Sequence, residues 1–351
     1  MSDLATAVNA AFAYAHEPSD AIALLGPPSD AFRHPGPQGL LEFARAIETE
    51  EELNELVRRV VPTVGVPDGF KASVMALLCG TFVEWGADST EFGNLLLARL
   101  PGFLAEAESV ADYVETVPGE KLFAINPDGF RAWQALSLMM LATMAVVTRR
   151  MDFRQEARVN AELVMGLVAL RERNKEVNFV AQTLGFTDGM ELVVLHPGEG
   201  RGFHIELEAV NTNFHLFTLL QGELIGGGLL PGDPIESNVV GVARGEIPHE
   251  SPVIDHARFH FYNWAGLLPD GSLAAADTET WIWGEAHAEE IPEFEGVRVV
   301  VLGPPVLGMR EWDGNFFANI HDALRSATRV IGELTAEQVT AWIDHIRRAP
   351  R

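Results

Sequence analysis

The sequence predicts an α+β protein: a helical N-terminal half, then a mainly antiparallel β-sheet domain with C-terminal helices. Three observations carry that prediction. Apolar residues of the first half recur at i, i+3 and i+4, the spacing of a buried helix face. Beyond Gly185-Phe-Thr-Asp-Gly189 the period changes to alternation, as in Phe203-His-Ile-Glu-Leu207. The strands then come in a run, without the regular helical crossovers that a doubly wound parallel sheet requires. The change of period places the boundary, giving a helical domain over 1–185 and a sheet domain over 186–351.

In the first half, Leu4, Ala7, Val8, Ala11, Phe12 and Ala15 form one apolar stripe. Thr49-Glu-Glu-Glu52 has the form of a capping box, with Leu53, Leu56, Val57, Val60 and Val61 as the face behind it. Pro62 limits that helix. Further helical segments are predicted over 70–85, 90–100 and 104–114, punctuated by Gly86, Pro101-Gly102 and Pro118-Gly119. Two long helices, over 128–151 and 153–184, complete the half. Arg150, Arg154 and Arg158 share a face with Asp152, Glu156 and Glu162 interleaved, which reads as a solvated, ion-paired surface rather than a phosphate site.

In the second half, strands are predicted over 190–196, 203–207, 239–243, 258–264, 278–284 and 297–302. The stretch 213–225 leans towards a helix. Gly226-Gly-Gly, Pro231-Gly-Asp-Pro234 and Pro269-Asp-Gly271 supply turns, the last closing a hairpin between the 258 and 278 strands. A helix over 316–331 and one capped at Thr335-Ala-Glu-Gln338 finish the chain.

Composition narrows the classes of function. Hydrophobic residues make up 47% and charged residues 21%, enough apolar material for a globular core. Fifty acidic residues against 25 basic ones leave a net charge of −25, and the half after Gly185 is the more acidic and has no lysine. A field of that sign repels nucleic-acid phosphates and anionic lipid, so neither is an expected partner. A cationic protein or peptide is. Acidity also serves solubility alone, and charge by itself does not decide between the two.

The single cysteine, Cys79, lies in an apolar helical stretch and leaves no internal disulfide and no multi-cysteine zinc site. Met1-Ser-Asp-Leu lacks the basic and apolar regions of a signal peptide, and the uncharged run 132–148 is interrupted by Gln134, Ser137 and Thr143. A cytoplasmic location is therefore expected. The ratio of 3 Lys to 22 Arg points to a GC-rich bacterial genome.

Catalytic signatures are missing. No HExxH, GxSxG or Walker A sequence occurs, and His204-Ile-Glu206 has no paired cysteines to complete a zinc deaminase motif. Gly198-Glu-Gly-Arg-Gly202 precedes a strand rather than a helix N-terminus, so it reads as a hairpin connection. Two sets of residues stand out instead. His204, Glu206, His256 and His260 occupy the polar parity of two strands, and would form a metal-capable face if those strands were neighbours. The same positions suit any hydrophilic side chain on a half-buried strand, so no metal and no cofactor are expected.

Tyr262, Trp281 and Trp283 are the second set, large amphipathic aromatics of the kind that anchor interfaces, although both tryptophans equally suit a core covered by the C-terminal helices. Arg310, with Asp313, Asn315 and His321 behind it, forms a dense polar-aromatic segment suited to hydrogen-bonding a ligand, although Asp313 and Asn315 also suit turns and caps. The expected function is a non-catalytic binding protein whose acidic C-terminal domain engages a cationic protein or peptide, as immunity-type proteins and peptide-holding accessory proteins do. The alternative is a hydrolase or other enzyme using the His204/Glu206/His256/His260 face, with or without metal.

Overall fold

The computed structural model describes residues 3–248, 253–312 and 321–350. The chain divides into two compact units, Met1–Leu184 and Gly185–Arg351. Helices dominate the first; a mixed, mainly antiparallel sheet with a C-terminal helix forms the second, an α+β architecture.

In the helical unit, Gly69–Glu84 is the central element. Asp68 caps it, its carboxylate accepting from the backbone N–H groups of Phe70 and Lys71 at 3.0 Å. Val74, Met75, Leu78, Cys79 and Phe82 are all buried, so the helix is apolar around most of its circumference and forms the middle of the core. The Leu136–Val147 helix packs on it closely: a Cβ at Gly80 would stand 3.1 Å from the Cα of Ala142. No single helix among the described residues is long and apolar enough to cross a membrane.

Several helix boundaries differ from those expected. Thr90–Ala111 runs straight through Pro101, because Leu96, Leu97, Leu100, Phe103 and Leu104 bury one continuous stripe on both sides of it. The expected 128–151 helix is two, Pro127–Gln134 and Leu136–Val147, bent by 55°. The expected 153–184 helix follows a start at Met151 and is three, Met151–Val159, Ala161–Leu170 and Lys175–Leu184. Asparagines make those breaks: Asn160 accepts from the Leu163 N–H at 3.1 Å and Asn174 from the Val177 N–H at 3.0 Å. Arg154 is not on a solvated face. It is buried, and donates to the carbonyl of Val147 at 2.9 Å.

The second unit has eight described strands: β1 Glu191–His196, β2 Arg201–Glu208, β3 Val253–His256, β4 His260–Asn263, β5 Glu293–Phe294, β6 Val297–Gly303, β7 Met309–Trp312 and β8 Ala327–Glu333. The main sheet runs β4-β6-β1-β2-β8, with β5 also on β6; β1 and β6 are parallel and the other pairs antiparallel. Strands β3 and β7 form a separate two-stranded ribbon.

Both faces of the main sheet are covered. Leu192, Val194, Phe203, Ile205, Phe261 and Val300 pack with Leu216, Phe217 and Leu220 of the Asn213–Leu224 helix. Val193, Leu195, Tyr262, Val299 and Val301 pack with Val339 and Ile346 of the Ala336–Arg348 helix. Central strands buried on two faces have no polar side to show, which accounts for the near-continuous apolar runs of β1 and β6. The C-terminal helix begins with the expected capping box between Thr335 and Gln338.

Four expectations for this unit are corrected. Residues 239–243 lie in a helix, Ser237–Ala243, whose buried Val239, Val242 and Ala243 cover the sheet. The described part of 316–331 is a turn followed by β8, where Thr328, Val330 and Ile331 suit an edge strand. The 278–284 segment begins with a short 3₁₀ turn, Thr278–Thr280, and of the expected hairpin two isolated antiparallel bridges remain, Leu267–Leu273 around the Pro269-Asp-Gly271 turn and Tyr262–Trp281. The 258–264 strand begins at His260, and the three residues before it separate β3 from β4. Gln221 explains that separation: its Oε1 accepts from the N–H groups of Arg258 at 2.6 Å and Phe259 at 3.2 Å, withdrawing both from any ladder.

Candidate functional site

The polar centre of the second unit is built around Gln221. It lies on the face of the Asn213–Leu224 helix that also carries Thr218, Phe214 and Phe217. Its amide nitrogen donates to Asp255 at 3.2 Å, and Thr218 donates to the same carboxylate at 2.9 Å. Its amide oxygen, besides binding the backbone at 258 and 259, accepts from Arg310 Nη2 at 3.4 Å. Arg310 Nη2 also reaches the carbonyl of Phe259 at 3.1 Å. Asp255 and Arg310 are themselves register partners across the β3–β7 ribbon, on its inner face.

Aromatic rings surround the guanidinium. Phe217 and Phe261 are stacked at 4.1 Å, and the central carbon of Arg310 lies 4.9 Å and 5.1 Å from their centroids. That is cation–π distance, which accounts for how a cation only 9% exposed is tolerated here. Burial lowers the Arg310 pKa to about 10, opposed by Asp255, and it stays charged at neutral pH. Burial raises the Asp255 pKa, while Arg310 and the Thr218 bond pull it down.

Beside Arg310 opens a cleft of about 150 Å³, lined by Phe214, Phe217, Phe259, His260, Trp281 and Trp283, with Leu307 and Glu285 also on its wall. The loop bearing both tryptophans is docked on the start of the Asn213–Leu224 helix. Phe214 and Asn213 donate backbone N–H bonds to the carbonyls of Gly284 and Ala286, both at 2.8 Å, and the Asn213 side chain donates to the Trp283 carbonyl at 2.9 Å. Gly284 is required there, since a Cβ would stand 2.3 Å from the Phe214 ring. Trp283 is thereby held in place yet remains 52% exposed.

Three buried polar atoms around this cleft have no hydrogen-bond partner among the described residues: Arg310 Nη1, His260 Nε2 and Trp281 Nε1. Leaving a buried donor unmet costs about 1–3 kcal/mol, so three in one place is a substantial local deficit. His260 packs edge-on against Tyr262 at 4.6 Å and Trp281 at 4.3 Å. Burial, with Arg310 adding to it, depresses its pKa to about 4, so the ring is neutral at physiological pH.

Of the residues singled out from the sequence, the structure brings His260, Trp281, Trp283 and Arg310 to this one cleft. Tyr262 is 1% exposed and belongs to the core facing the C-terminal helix; it supports the His260 ring instead of presenting a surface. His204 and Glu206 lie on β2, three strand positions from β4, about 14 Å at ordinary strand spacing. Glu206 faces Arg329 of β8 at 3.6 Å. His256 belongs to the ribbon, a different sheet. The expected His204/Glu206/His256/His260 face therefore does not exist, and no group of three or more His, Cys, Asp or Glu among the described residues is placed to hold a metal.

His321 accepts from the Ala323 N–H at 3.1 Å in a turn. Asp313 and Asn315 lie outside the described residues. Sequence reasoning missed Gln221, Thr218 and Asp255. The available signal was a pair of polar residues three apart, Thr218 and Gln221, set among Phe214, Leu216, Phe217, Leu219 and Leu220.

No protein-family model matches this chain, and no curated protein or solved structure is significantly similar to it.

Proposed function

We propose that this is a non-catalytic binding protein that engages a cationic protein or peptide through its acidic C-terminal unit, with the aromatic cleft as the anchor point. The observation that carries this reading is the cleft itself. At about 150 Å³ it falls below the roughly 300–1,000 Å³ of cofactor and small-molecule pockets, and is sized for one side chain or a chain end. Trp283 and Leu307 on its wall are each about half exposed, a combination of half-open pocket and aromatic rim typical of binding hot spots.

The enzymatic alternative has less support. A histidine with a pKa of about 4 is a weak base near neutral pH, and besides His260 the cleft wall offers only Glu285 as a base among the described residues. The binding reading describes an immunity-type protein, or a peptide-holding accessory protein of a biosynthetic cluster, working in the bacterial cytoplasm.

The test is titration of the purified chain with synthetic peptides that share one apolar residue and differ in net charge. Binding that strengthens with positive charge, and that Trp283→Ala weakens without lowering the melting temperature, supports the reading. Binding indifferent to peptide charge, or unaffected by Trp283→Ala, contradicts it.

A further inference from the structure

We infer that the base of the cleft holds a carboxylate, and specifically the C-terminal carboxylate of a peptide whose last side chain lies against the aromatic wall. This rests on the reading of the C-terminal unit as a peptide-binding domain and names what that site recognises. The first argument is the set of unmet groups. Arg310 Nη1 and Trp281 Nε1 are donors only, and His260 is a donor at Nε2 in the tautomer that carries its proton there. Donors without acceptors call for an acceptor-only group, and an ionised carboxylate is one, with two oxygens to share among them.

The second argument concerns charge. Gln221 and the Phe259 carbonyl occupy Nη2 of Arg310 and leave the Nη1 edge unmet. The nearby anions are Asp255, which faces Arg310 across the ribbon, and Glu285 on the cleft wall. Arg258 and Glu236 add one charge of each sign beside Asp255, so the surroundings stay net acidic and disfavour a doubly charged phosphate more than a singly charged carboxylate.

The third argument concerns the walls. Phe214, Phe217, Phe259 and Phe261 surround the position beside Arg310, so an apolar group must sit next to the bound carboxylate. In a polypeptide only the terminal residue carries a carboxylate and an apolar side chain on one α-carbon. A free amino-acid-derived carboxylic acid offers the same chemistry at smaller size. The peptide end is favoured by the acidic surroundings: the anionic end goes inward to Arg310, and cationic residues upstream pass Glu285 on the way out.

The experiment titrates the full chain, by calorimetry, with pentapeptides Lys-Lys-Gly-Gly-X for each terminal residue X, both as free acids and as C-terminal amides. N-acetyl-phenylalanine is run beside them. Free acids with apolar X should bind, and their amides should bind about tenfold or more weakly, since a charge-assisted bond is lost. His260→Phe, which keeps the ring and removes its donor, should narrow that acid-to-amide ratio while the protein keeps its fold by circular dichroism. Equal affinity for acid and amide overturns the carboxylate and leaves the peptide reading standing. N-acetyl-phenylalanine binding as tightly as the pentapeptides overturns the chain end in favour of a free acid. No binding by any peptide overturns both.

Discussion

Asp255 and Arg310 face one another across the two-stranded ribbon, and the side-chain amide of Gln221 spans them, donating to the first and accepting from the second. The same amide oxygen takes the N–H groups of residues 258 and 259, so one uncharged side chain bonds to two buried ions and to the break between two strands. Gln221→Leu fills similar volume but leaves the N–H groups of residues 258 and 259 unmet and takes one bond from each ion. At about 1–3 kcal/mol for each buried orphan, it should cost about 3 kcal/mol or more of unfolding free energy. A urea melt reading a loss under about 1 kcal/mol would show that the network does not hold this region.

Much of the scaffold was legible beforehand, because it depends on local pattern. The alternation of β2 and the box at Thr335 and Gln338 need only near neighbours in the chain to be recognised. The misjudged elements depend on partners distant in sequence. Strand β8 is a strand because β2 offers it an edge, and Gln221 is polar within an apolar helix because Asp255 and the 258–259 backbone arrive there. Trp281, Trp283, His260 and Arg310 were visible as residue types, but their meeting at one cleft follows from the break after His256, which no periodicity records.

Acid should destabilise the C-terminal unit. The depressed pKa of His260, about 4, and that of the buried His215, about 3, favour neutral rings in the fold. Burial is the first cause for both. A group with a lowered folded pKa contributes stability that is present above its unfolded value, near 6.5, and lost as pH falls towards the folded one. Asp255, whose pKa is raised, works in the opposite sense and offsets part of the loss. Urea midpoints should therefore fall between pH 6.5 and about 4, and less steeply in His260→Gln. Identical slopes in the two proteins would show that His260 does not titrate with unfolding.

Gly284→Ala should dismantle the cleft from outside it. The added methyl would stand 2.3–2.4 Å from the Phe214 ring, so either the ring or the loop carrying Trp283 must move. Overpacking of this kind costs about 1–3 kcal/mol. The intrinsic tryptophan emission of the folded protein should change along with the lower melting temperature. A variant matching the parent in both would mean the loop is not held against Phe214.

Tyr262 and Trp283 should separate stability from binding. Tyr262→Ala removes a fully buried ring beneath His260 and should cost about 3–5 kcal/mol of folding stability. Trp283→Ala removes a ring half in solvent and should leave the melting temperature almost unchanged. A collapse of the fold in Trp283→Ala would assign that ring to the core.

The most direct test of an acidic surface with an aromatic anchor is the kinetics of a cationic peptide, followed by stopped-flow fluorescence across a salt series. Screening shortens from about 10 Å at 0.1 M to about 3 Å at 1 M salt. The association rate should fall steeply over that range, while dissociation stays nearly constant. Trp283→Ala should leave association alone and speed dissociation about thirtyfold, the loss of roughly 2 kcal/mol expected of a hot spot. An association rate that ignores salt, or a dissociation rate that ignores Trp283, would contradict the account.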